Sequence, residues 1–129
     1  MEKKNAAPKW IVVYLWLSTF AALTFSILAY LKPEAQFKDW PALNTAGALS
    51  LAGPLGLYIA RNLATAATSL FAALNKSVNV LIAALLLRAV TDGIDLIHNA
   101  ITGNFPIAVF AFVLCIVELA AIIKLKKLN

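Results

Sequence analysis

Charged residues are missing from long stretches of this chain, and the places where they return divide it. Residues 10–31 contain none, and Lys32-Pro33-Glu34 ends the run. A helix needs about 20 mostly apolar residues to cross the ~30 Å hydrocarbon layer of a bilayer, so this run reads as a first span. Its basic leader resembles a secretory signal, but the apolar core far exceeds the roughly 7–15 residues of a signal h-region, and no A-x-A site follows. It is expected to stay as an anchor.

Residues 42–74 are apolar too, but as one helix they would reach about 50 Å at 1.5 Å per residue. Gly53-Pro54 punctuates them, and proline suits a first helical turn. The second span is therefore expected over residues 54–74, ending before Asn75-Lys76-Ser77. Residues 37–53 would then lie at the interface or dip partway in, with Trp40 and Lys38 at headgroup level; a single kinked, tilted helix is the alternative. The third span covers residues 78–102 and stops at the Gly103-Asn104 turn signal. The fourth covers residues 105–123 and finishes in Lys124, Lys126 and Lys127. The pattern predicts an all-α integral membrane four-helix bundle. Residues 1–129 form one domain, with an interfacial or partly inserted segment between helices 1 and 2.

Composition agrees. Of 129 residues, 62% are hydrophobic and 13% charged, where a soluble domain carries about 25% charge. Such apolar abundance excludes a disordered chain. A lone cysteine, Cys115, excludes a disulfide framework and CxxC or multi-cysteine metal chemistry. Four crossings put both termini on one side with Lys76, so that Lys3, Lys4, Lys9, Lys124, Lys126 and Lys127 gather there against only Lys32 and Lys38 opposite. Basic residues stay cytoplasmic, which predicts a multi-pass inner-membrane protein with both ends in the cytoplasm. The net charge of +5 is then a topology signal and a contact for anionic lipid, and nucleic acid is not an expected partner.

Six ionisable residues remain inside the predicted spans: Arg61, Arg88, Asp92, Asp95, His98 and Glu118. A charge at bilayer depth costs at least ~2.5–3.5 kcal/mol on insertion scales, so their placement needs a cause. At about 100° per residue, Arg88, Thr91, Asp92, Asp95, His98, Asn99 and Thr102 fall within an arc of roughly 120° on the third span. Arg61, Asn62, Thr65, Thr68, Ser69 and Tyr58 make a stripe of similar width on the second. Neither stripe can face acyl chains, so the two are expected to face each other. Arg61 and Asp95 would both lie roughly 10 Å below the outer interface and are expected to pair. Arg88 can meet Asp92 one turn away, and it is the nearest basic partner for Glu118.

Two arginines against two aspartates and one glutamate leave a balance of −1. A low-dielectric interior resists an unpaired charge, so either a carboxyl keeps a proton or His98 gains one. Glu118, whose helix offers no polar companion except Cys115, is the expected neutral acid, and Glu118 and His98 are the candidate proton-exchanging groups. The candidate ligand or proton site thus comprises Arg61, Asn62, Arg88, Asp92, Asp95, His98, Asn99 and Glu118. The same residues also read as structural glue fixing helix register, with His98 simply wet near the interface and Glu118 held by Arg88. Cys115 reads as a small buried filler. Trp10, Trp16 and Trp40 form an interface belt, and Tyr14, Tyr30 and the phenylalanines serve packing or lipid contact. No G-x-S-x-G, H-E-x-x-H, P-loop or G-x-G-x-x-G occurs. With a single histidine, neither a metal site nor any other cofactor is expected.

The stretch Gly56-Leu-Tyr-Ile-Ala-Arg-Asn62, together with residues 81–103 (LIAALLLRAVTDGIDLIHNAITG), resembles the small four-helix DoxX-like bacterial membrane proteins over the second and third spans. In that group an arginine often opens the second helix and an aspartate sits in the third. The resemblance points to Arg61 and to Asp92 or Asp95, while Arg88 and His98 depart from the pattern. Some relatives are associated with membrane redox or sulfur-metabolism complexes, but this sequence shows no redox centre, and the departures leave function open.

Three functions compete. The first is a non-enzymatic membrane protein or complex subunit, with the stripes docking helices within one chain or between copies. The second is a proton-coupled small transporter working as a homodimer. The third is a small membrane enzyme on a lipophilic substrate, with an aspartate and His98 as acid and base. They are ranked in that order. A chain this short has little room for a cavity and its wall, and no inverted repeat or selectivity-filter loop is visible. The expected partners are the lipid bilayer and either further copies or a membrane complex.

Overall fold

In the computed structural model, residues 7–36 and 54–128 are described, and they form four long helices and one short one. These are α1 (Lys9–Leu31), α2 (Pro33–Gln36), α3 (Pro54–Asn75), α4 (Val78–Ile101) and α5 (Phe105–Lys126). The interfacial reading of residues 37–53, with Trp40 and Lys38, and the N-terminal Lys3 and Lys4 lie outside the described residues.

Helix ends follow local chemistry. Proline at 54 opens α3, where its missing N–H costs nothing. Lys76 takes φ 58 and its N–H reaches Ala72 O at 2.9 Å, turning the chain sharply from α3 into α4. Between α4 and α5, Gly103 adopts φ 75. Its N–H bonds Ala100 O at 3.3 Å, and the Asn104 N–H bonds Asn99 O at 2.8 Å. That is the Schellman termination, which favours glycine because a Cβ is disfavoured in the left-handed region. Two such short turns make α3, α4 and α5 run antiparallel in succession.

Packing is uneven between helices that follow one another in the chain. The closest helix pairs are α4 with α5 and α1 with α3, whereas the consecutive α3 and α4 touch much less. Ile11 and Leu15 of α1 meet Ala72 and Ala73 of α3, Leu81, Ala84 and Leu85 of α4, and Ala121, Ile122 and Leu125 of α5 in one apolar core. This core closes the end of the bundle that holds the α3–α4 turn. Farther along α4, each residue adding about 1.5 Å, the polar side chains begin at Arg88.

The distribution of size is inverted relative to a soluble protein. Alanines fill the interior (Ala22, Ala29, Ala66, Ala108, Ala111 among them), while Phe20, Leu57, Phe71, Ile97, Ile101 and Phe110 stand exposed. Small residues inside let helices approach closely, and large apolar ones outside suit lipid. Three of the four long helices, α1, α3 and α5, are long and apolar enough to cross a membrane. α4 has the length, at 24 residues, but carries Arg88, Asp92 and Asp95 within one 18-residue window. The described residues form an all-α, four-helix structure of membrane-spanning character, to which α4 contributes Arg88, Asp92 and Asp95.

Candidate functional site: a buried arginine–carboxylate cluster

The site begins with the spacing of Arg88 and Asp92 on α4. One helical turn apart, they bond directly, Arg88 Nη2 to Asp92 Oδ2 at 3.2 Å. The same edge of that guanidinium also reaches α5, where Arg88 Nε donates to Glu118 Oε1 at 2.8 Å. Glu118 is completely buried, and Arg88 and Asp92 are nearly so. α1 supplies the fourth member. The Tyr14 hydroxyl donates to the same Glu118 Oε1 at 2.6 Å, and the Arg88 guanidinium carbon lies 5.6 Å from the centre of the Tyr14 ring. A cation over an aromatic face is attracted by the ring quadrupole, the more so when desolvated. Three helices are therefore joined at one guanidinium.

Tyr14 corrects the sequence reading, which assigned it to packing or lipid contact. It is part of the polar cluster. At about 100° per residue, Tyr14, Ser18, Ala22, Ser26 and Ala29 share one side of α1, and the last four are buried. That line of small and hydroxyl residues was the available signal, and it was hidden by the near-uniform apolarity of α1.

A second connection lies about two turns farther along α4. Arg61 Nη1 of α3 pairs with Asp95 Oδ1 of α4, as their depths led us to expect. The Arg61 guanidinium also lies 5.3 Å from the Tyr58 ring centre. This pair is much more open than the first: the side chains retain 35% and 30% of their exposure. The two polar stripes thus face each other only in part. Asp95 turns to α3, but Arg88 and Asp92 turn away from it toward α5 and α1, because α4 packs principally on α5.

The remaining candidates divide. Asn99 Nδ2 donates to the Asp95 backbone carbonyl at 2.8 Å, supporting the same turn. Asn62 is half-buried beside Arg61 on α3, and its Nδ2 is buried with no acceptor. His98 is exposed; its backbone carbonyl accepts the Thr102 hydroxyl at 3.0 Å, and its ring does not join the cluster. Cys115 is half-buried rather than fully buried, its Sγ 3.5 Å from Ala89 O where α5 crosses α4. Within residues 105–123 Glu118 has no polar companion except Cys115, but Arg88 and Tyr14 both reach it from other helices.

One polar atom stands out. Glu118 Oε2 is buried and takes no hydrogen bond, although Oε1 takes two. Arg88 thus serves two carboxyl groups with a single charge. Among the described residues, no group of three or more His, Cys, Asp or Glu side chains is arranged to hold a metal. Compared with known proteins, the chain matches no family model, no curated protein and no solved structure.

Proposed function

We propose that this chain is a non-enzymatic inner-membrane protein, multi-pass with both termini in the cytoplasm. It works as a subunit of a homo-oligomer or membrane complex, and its polar cluster sets helix register. The observation that carries this reading is Arg88 bonded to Glu118 of α5 and Asp92 of its own helix, with Tyr14 of α1 closing on the same carboxyl. In lipid there is little hydrophobic drive between helices, so directional polar contacts at one depth are an effective way to choose a register. The likeness of the Arg61 and Asp92 or Asp95 placement to the DoxX-like proteins accords with a complex subunit.

Substitution at Arg61, Asp92 or Asp95 should lower folded yield and assembly, read by size-exclusion chromatography and cross-linking in native membranes. Reporter fusions should place the C-terminus in the cytoplasm. The proton-coupled transporter is kept as the second reading because Glu118 Oε2 is buried without a donor. A pH-dependent flux in reconstituted vesicles, abolished by Asp92→Asn in a chain that still assembles, would displace the subunit reading in its favour.

A further inference from the structure

Two carboxyl groups share one guanidinium at the centre of this bundle. Arg88 Nε holds Glu118 Oε1 and Arg88 Nη2 holds Asp92 Oδ2. Nε and Nη2 lie along one edge of the guanidinium, so the two carboxyl groups stand side by side against it. Both are pure acceptors when ionised, so their approach becomes a hydrogen bond only when one of them carries a proton. With both ionised, the cluster holds a buried net charge of −1 beside a fully buried oxygen that has no donor. Like charges sharing a low-dielectric site do not both persist.

Among the described residues, the neighbouring helices offer no further free positive charge beside these two carboxyl groups. α1 presents the Tyr14 hydroxyl, already donated to Oε1. On α5, Cys115 stands one turn away, with its Sγ against Ala89 O. α3 presents Arg61, which is engaged by Asp95. His98 is exposed.

We propose that Asp92 and Glu118 form a binding site for a single proton, held between their carboxyl groups and exchanged with water from the Asp95 side of α4. The exchange route follows the exposure of successive carboxyl groups: Glu118 is sealed, Asp92 retains 13% and Asp95 retains 30%. His98 lies exposed one turn beyond Asp95. This site is independent of whether the chain works as a subunit.

The test is infrared spectroscopy of the whole chain in lipid at neutral pH. A protonated carboxyl shows a carbonyl stretch well separated from carboxylate bands. The expected result is such a band that shifts in heavy water and is lost in both Glu118→Gln and Asp92→Asn. Asp95→Asn should leave it in place. Glutamine keeps the carbonyl acceptor for Arg88 and Tyr14 and offers an N–H to Asp92, so the Glu118→Gln chain should still fold. Should either variant fail to fold, isotope labelling of the glutamate and then the aspartate carboxyl carbons in the wild-type chain assigns the band without mutation. Absence of the band, a band that does not move with either label, a band surviving both variants, or one that resists heavy water would each overturn the proposal. Assembly and melting read the register role separately, so the two failures are distinguishable.

Discussion

Arg88 of α4 and Glu118 of α5 meet at 2.8 Å, and the carboxylate end of that contact is wholly sealed within the bundle. Breaking a buried pair by removing one partner costs about 3–5 kcal/mol, because the other charge stays buried and uncompensated. Arg88→Leu should therefore be the most damaging single polar substitution in the chain, since it strands both Glu118 and Asp92. Denaturant unfolding in mild detergent measures the loss. Arg88→Lys should recover only part of it, because one ammonium cannot occupy the Nε and Nη2 positions together.

Tyr14→Phe keeps the ring beneath the guanidinium and removes only the hydroxyl. The carboxylate oxygen then retains Arg88 alone, and the expected cost is about 1–3 kcal/mol. A melting temperature unchanged from wild type would show that α1 is held by its apolar contacts rather than by this bond.

Arg61 and Asp95 should couple more weakly. Polar contacts between membrane helices are worth about 0.6–2 kcal/mol, and this pair is a third exposed. A double-mutant cycle on Arg61→Ala and Asp95→Ala should return a coupling inside that range and below the loss seen at Arg88. A coupling of zero would remove the pair as a tie between α3 and α4.

The glycines separate two kinds of constraint. A Cβ at Gly93 would meet the Cys115 Sγ at 4.0 Å, an ordinary contact, so Gly93→Ala should be tolerated and gain up to about 1 kcal/mol of helix propensity. Gly103 has open space around it but a φ of 75, where an L-residue pays about 1–2 kcal/mol. Gly103→Ala should destabilise despite the room. Paired thermal melts of the two variants, moving in opposite directions, would check this.

The four long helices were legible without coordinates. Their starts and stops are written in charge-free runs, Pro54, and the Gly103-Asn104 turn, and lipid demands length and apolarity that few other structures need. The contacts Arg88–Asp92 and Arg61–Asp95 were legible too, because helical periodicity fixes which residues share a face and how deep each lies. Tyr14 was not. Its role depends on which side of α1 meets α5, and a nearly uniform apolar helix carries little record of its rotation.

Neither could periodicity tell that α4 would pack mainly on α5 and α1 mainly on α3. Local sequence determines where each helix runs and which residues line its polar side. Only the packing of four helices decided that the α4 stripe is split, Asp95 toward α3 and Arg88 with Asp92 toward Glu118. The physical reason is that helix rotation and the extent of each contact depend on the close approach of alanine-rich surfaces on different helices, where no single helix specifies how its neighbour turns.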